Sequence, residues 1–105
     1  MKEVTVDELK SMMDNNEDFK LIDIREEYEY DIVNIGGELI PMNGFLSNPD
    51  SISRYVKTVI CCRTGSRSAA AINQLEQKFG FTNLYNLKGG VIAWAKTIDP
   101  TLPVY

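Results

Sequence analysis

The chain has 105 residues, 44% hydrophobic and 25% charged, with a net charge of -4; this is the make-up of one ordinary globular domain, expected over residues 1–105, and not of a disordered or fibrous chain. The acidic balance lacks the basic footprint that nucleic acid or an anionic membrane requires, and no apolar run approaches the ~20 residues needed to span a bilayer, so neither is expected as a partner. Histidine is absent, which removes the commonest general base and the commonest metal ligand together: Ser-His and Cys-His mechanisms are excluded, and no metal or other cofactor is expected.

In chain order, Thr5-Val6-Asp7-Glu8 has the form of a capping box, and Val6, Leu9, Met12 and Met13 recur at helical spacing. This predicts a first helix ending near Asn15 and Asn16. The charged residues Lys2, Glu3, Asp7 and Glu8 in the opening stretch do not match a secretory leader, so a cytoplasmic location is expected. Phe19 to Ile24 reads as a compact strand, and Glu26 to Asp31 as one or two helical turns. Gly36-Gly37 breaks the chain, and a short strand from Glu38 to Ile40 stops at Pro41. Met42 to Ser53 is predicted to be loop, with a helical turn around Ser51 to Tyr55.

Thr58-Val59-Ile60-Cys61-Cys62 is a β-branched run typical of a strand buried on both faces. After the polar stretch Arg63 to Arg67, Ser68 to Phe79 carries Ala71, Ile72, Leu75 and Phe79 at helical positions, closed by Gly80 as a left-handed cap. Leu84 to Leu87 supplies another strand, Lys88-Gly89-Gly90 turns, and Val91 to Thr97 forms a last helix. Strands alternating with helices through short connections predict an α/β fold, a parallel sheet covered by helices on both faces.

In such a sheet, ligands bind beyond the carboxyl ends of the strands, which is where Cys62 falls. The residues that follow, Arg63, Thr64, Gly65, Ser66, Arg67 and Ser68, form a loop short enough to curl around the sulfur with backbone N–H groups facing inward, and Gly65 supplies the backbone freedom for the bend. The amides, the helix N-terminus and the two arginines all favour a thiolate, or an anion bound in its place, without an imidazole. Cys61 and Cys62 are the two cysteines of the chain. Neighbours on a strand point to opposite faces, so a disulfide between them would be strained; both are expected as free thiols, with Cys61 turned away from the loop into the core.

Cys62-Arg63-Thr64-Gly65-Ser66-Arg67-Ser68 resembles the active-site loop of rhodanese-type sulfurtransferases. Leu21-Ile22-Asp23-Ile24-Arg25-Glu26, continuing through Glu29-Tyr30 and Ile35, is similar to the family's first motif, and Gly89-Gly90-Val91-Ile92-Ala93-Trp94 to its C-terminal one. The resemblance implies a rhodanese-like fold with a central five-stranded parallel sheet, and Cys62 as the nucleophile. In the reaction it implies, Cys62 takes the outer sulfur of a small anionic donor such as thiosulfate, holds it as a persulfide, and yields it to a thiol, a carrier protein or, in vitro, cyanide. Arg63 and Arg67 would attract the donor, and the N–H groups of Thr64 through Ser68 would hold the sulfur charge. The sequence departs from the pattern at Asn34, where many members have histidine, at Gly36, where many have proline, and at Cys61, where tyrosine is frequent.

Two other readings compete. Dual-specificity phosphatases and arsenate reductases place five residues between cysteine and arginine; here four intervene between Cys62 and Arg67, and Ser68 stands where the arginine would be needed. A rhodanese-like interaction module without turnover often lacks the cysteine, which is present here. Asp23, Arg25, Glu26 and Glu29 read as a solvated or salt-bridged structural cluster bracing the first strand, Trp94 as core, and Lys88 as surface. The runs Asp31-Ile32 through Met42 and Asn83 through Pro100 and Tyr105 are further similar to the rhodanese domain at the C-terminus of adenylyltransferases that activate molybdopterin or thiamine sulfur-carrier proteins. This implies a sulfur-carrier protein as acceptor.

Overall fold

The computed structural model describes residues 1–105. Its elements in order are β1 (Glu3–Val4), α1 (Val6–Asp14), β2 (Lys20–Asp23), α2 (Glu27–Ile32), β3 (Glu38–Leu39), α3 (Met42–Ser47), a 3-10 turn (Pro49–Ser51), β4 (Thr58–Cys61), α4 (Ser66–Phe79), β5 (Leu84–Leu87) and α5 (Gly90–Thr97). All strand pairs are parallel, in the order β1-β5-β4-β2-β3. This is the predicted five-stranded α/β architecture, with β4 at its centre. No helix is long and apolar enough to cross a membrane.

The period-2 alternation of β4 splits the core in two. Ile60 and Cys62 face one cluster, with Ile22, Ile24, Phe45, Ile72, Leu75 and Leu84, under α3 and α4. Val59 and Cys61 face the other, with Val4, Leu9, Met12, Leu87, Val91 and Trp94, under α1 and α5. Trp94 is thus core, as expected.

Helix α1 starts as the capping box predicts: the Glu8 N–H donates to Thr5 Oγ1 at 3.1 Å and the Thr5 N–H to Glu8 Oε1 at 2.9 Å, a cap of this kind contributing about 1 kcal/mol. Three expectations are corrected. Met42 to Ser47 forms α3 where loop was expected, and the turn that follows lies at Pro49–Ser51 and not around Ser51 to Tyr55. Asn43 and Gly44 are poor helix formers, but Phe45 is 1% exposed in the core, and burial of its ring outweighs local propensity. Strand β1 was not anticipated. Its two residues carry no periodicity and become a strand only by pairing, Glu3 with Asn86 and Val4 with Leu87. Finally, α4 begins at Ser66, two residues earlier than expected.

Asn34, one of the departures from the family pattern, closes its own turn: its amide donates to Tyr30 O at 3.1 Å, and its Oδ1 accepts from the Gly36 N–H at 3.0 Å. Gly36 takes a φ of 88° in that turn.

Candidate active site

The early start of α4 shortens the loop after β4 to Cys62–Gly65. Gly65 serves as its N-cap at φ 100°, a left-handed conformation that glycine adopts without steric cost. Cys62 lies one residue past the strand end and is fully buried. Its Sγ accepts the N–H of Gly65 at 3.1 Å and the N–H of Ser68 at 3.4 Å, and lies 3.3 Å from Ser68 Oγ. Of the five N–H groups from Thr64 through Ser68, these two make the hydrogen bonds to sulfur. Both belong to the first turn of α4 or its cap, so the positive end of the helix also acts there. The sulfur therefore has inward-facing amides around it while its flank packs against the aliphatic cluster of α3 and α4.

The other loop residues divide between rim and frame. Arg63, Thr64 and Ser66 are exposed, and the hydroxyls of Thr64 and Ser66 lie 3.3 Å apart. Arg67 does not present a free charge. Its two terminal nitrogens donate to the two carboxylate oxygens of Glu29, both at 2.8 Å, the fork-to-fork geometry that arginine and carboxylate favour. The Arg67 hydrogen bonds hold the Glu29 carboxyl at a pKa of about 2, and the same bonds raise Arg67. Glu29 Oε2 also accepts the N–H of Glu26 at 2.9 Å, which starts α2.

Behind this pair, Arg25 is fully buried and donates to both oxygens of Asp23, to Val33 O at 2.7 Å and to Glu29 O at 3.4 Å. The bracing cluster read from the sequence is thus present in Asp23, Arg25 and Glu29. It is buried, and it extends through Glu29 to Arg67 in the first turn of α4, a link with no signal in the local sequence. Cys61 faces the opposite core, and burial pushes its thiol well above the usual range. Both cysteines are free.

Two further supports were missed. Asn86, on β5 and 4% exposed, donates from Nδ2 to Gly65 O at 3.1 Å and accepts from Ser68 Oγ at 2.5 Å. Its signal in the sequence is an amide inside the otherwise apolar run Leu84-Tyr85-Asn86-Leu87. The start of α5 is the other support: Val91 N–H donates to Cys62 O at 2.9 Å and Ile92 N–H to Arg63 O at 3.1 Å. A Cβ on Gly90, whose φ is 64°, would overlap both of those carbonyl oxygens. The Gly89-Gly90 pair thus permits the close approach of α5 to the loop. Lys88 beside it is exposed.

The sequence pattern of the rhodanese-like domain matches residues 5–97. The chain is 35% identical over 106 residues to the probable adenylyltransferase/sulfurtransferase MoeZ of Mycobacterium tuberculosis, with 97% of the chain and 26% of that protein covered. It is 33% identical to the rhodanese-like/PpiC domain-containing protein 12 of Arabidopsis thaliana, covering all of this chain and 38% of that one. The chain thus spans between a quarter and two-fifths of the length of these relatives. Among solved structures, a rhodanese-like domain protein from Staphylococcus aureus superposes with a TM-score of 0.81 at 31% identity, over 100% of this chain and 99% of that one. Fold, motif order and sequence pattern agree, and the chain belongs to the rhodanese-like domain family.

Proposed function

We propose that the domain is a sulfurtransferase in which Cys62 carries the sulfur. The observation that carries this reading is the pair of amide donors, from Gly65 and Ser68, aimed at one sulfur at the head of a helix and at the carboxyl end of the central strand. The description of the Mycobacterium tuberculosis relative as an adenylyltransferase/sulfurtransferase supports it. The Cys62 thiolate attacks the outer sulfur of a small anionic donor such as thiosulfate; the donor's S–S bond breaks, and sulfite leaves with the bonding pair. The acceptor then attacks the terminal sulfur of the persulfide, and the Cys62 thiolate is regenerated. The two N–H groups stabilise negative charge at Cys62 in both half-reactions.

Arg63 draws in the donor anion. Thr64 and Ser66 form the exposed rim, and Arg67 holds α4 against Glu29. This engagement of Arg67 also counts against a phosphatase, whose arginine must be free to grip the phosphoryl oxygens. Because Cys62 is fully buried at rest, the donor reaches it by displacing the exposed shoulder at Arg63 and Thr64. The physiological acceptor we propose is a sulfur-carrier protein or a small thiol.

The test is thiocyanate formation from thiosulfate and cyanide, with intact mass to detect a sulfur adduct. Cys62→Ser abolishes both signals. Cys61→Ser retains both. A Cys62→Ser protein that still makes thiocyanate, or an unsubstituted protein that never gains sulfur, would overturn the proposal; the second result would favour an interaction module.

A further inference from the structure

The hydrogen bonds around Cys62 fix the direction of the Ser68 hydroxyl. Gly65 O is an acceptor, so the Asn86 side-chain nitrogen must face it, and Asn86 Oδ1 therefore faces Ser68. Two oxygens in hydrogen-bond contact need a proton between them, and the one available is the Ser68 hydroxyl proton, which is thus committed to Asn86. Ser68 Oγ then turns a lone pair toward Cys62 Sγ at 3.3 Å. That contact is favourable when sulfur is the donor. The arrangement this favours is a chain, Cys62 S–H to Ser68 Oγ and Ser68 O–H to Asn86 Oδ1, with the two amides donating to sulfur as well.

We propose that Asn86 is a positioning residue that keeps Cys62 in the thiol form by holding the Ser68 hydroxyl away from it. When the Cys62 proton passes to a solvent base, the hydroxyl rotates about the Ser68 Cα–Cβ bond and becomes the third donor to sulfur. Asn86 Oδ1, buried and now without a partner, opposes that rotation. Ionisation is therefore coupled to one torsion, and the amide on the neighbouring strand sets how readily it occurs. Other charged groups near the sulfur are Arg63 on the loop and Arg67 on α4, which senses Cys62 as well as Glu29; at and just beyond the end of β2, the Asp23–Arg25 pair acts on Cys61. The variants below leave all of these in place.

The inference rests on the reading of Cys62 as the reacting sulfur, but its test needs no sulfur donor, so the two can fail separately. In a Cys61→Ser background, the rate of Cys62 alkylation by iodoacetamide is followed against pH. Asn86→Leu frees the hydroxyl and lowers the midpoint by about one pH unit, whereas Ser68→Ala removes a donor and raises it by a similar amount. In the Ser68→Ala background, Asn86→Leu gives no downward shift. A merely loosened loop would weaken the amide donors and raise the midpoint, so the sign separates the two roles. An unchanged or raised midpoint in a folded Asn86→Leu protein overturns the proposal, and so does an equal shift in both backgrounds. A measurement that needs no Asn86 variant is the S–H stretching band of Cys62 in the unsubstituted protein, identified by its loss in Cys62→Ser. It lies at the lowered frequency of a hydrogen-bond donor and returns to the free-thiol position in Ser68→Ala; a free-thiol position at the outset overturns the proposal.

Discussion

Glu29 on α2 forms an ion pair with Arg67 in the first turn of α4, and its acid behaviour follows from that. Its carboxyl titrates at about 2, against an ordinary 4.5, because Arg67 donates two hydrogen bonds to it. A depressed carboxyl contributes stability above its unfolded value, and that stability is lost as pH falls through the folded one. The contribution is therefore present at neutral pH and declines from about pH 4.5 to about pH 2. Arg67 is 37% exposed in its side chain, so screening reduces the full effect to about 2 kcal/mol. Denaturant unfolding at a series of pH values should show Glu29→Gln less stable at pH 7 and lacking that part of the acid limb. An acid limb of unchanged depth would show that the pair contributes nothing net. The charge pattern of Asp23, Arg25 and Glu29 was legible as a brace, but the partner Arg67 is 38 residues from Glu29, and no local spacing announces such a pair.

At the scale of elements, the loop that follows Cys62 is clamped between α4, β5 and α5, and two glycines with similar backbone angles separate conformational strain from close approach. Gly80 caps α4 at φ 70° with nothing within 4 Å of a built Cβ, whereas Gly90 at φ 64° has the Arg63 and Cys62 carbonyls in the way. Gly80→Ala should cost about 1 kcal/mol, the strain of a left-handed alanine. Gly90→Ala adds backbone overlap and should cost about 3 kcal/mol or more. It should also reduce thiocyanate formation at least about tenfold, since a loop displacement of ~1 Å is costly to catalysis. Urea unfolding and the transfer assay check both; equal losses for the two variants would mean that α5 yields freely and does not hold the loop. Helices α1 and α4 were legible because their apolar spacing and caps agree. Helix α3 and strand β1 were not, because each exists through contacts distant in sequence.

For the whole molecule, the net charge of -4 repels an anionic donor, while Arg63 is the exposed cation on the loop beside the sulfur. The molecule measures 38 × 30 × 19 Å, so many surface charges lie beyond the ~10 Å Debye length at 0.1 M salt, and the local cation dominates. The KM for thiosulfate should rise with ionic strength in the unsubstituted protein. In Arg63→Ala, KM should start several-fold higher and then stay level or fall with salt, because only the diffuse repulsion remains to be screened; kcat should change little. Identical salt dependences for the two proteins would remove Arg63 from donor capture.

The sequence by itself determined the alternation of strands and helices, the burial of β4 on both faces, and the placement of Cys62 at a strand-to-helix junction followed by an arginine, a glycine and a serine. These are readable because side-chain periodicity, caps and turn residues act over a few neighbours. The tertiary structure decided which groups reach the sulfur: two amides, one hydroxyl, and behind that hydroxyl an asparagine 18 residues further along the chain. It also decided that Arg67 is spent on Glu29 while Arg63 stays exposed. Those outcomes depend on which strands lie side by side and how closely a helix end can approach a loop. Packing of the two half-cores sets both, and no local pattern encodes them.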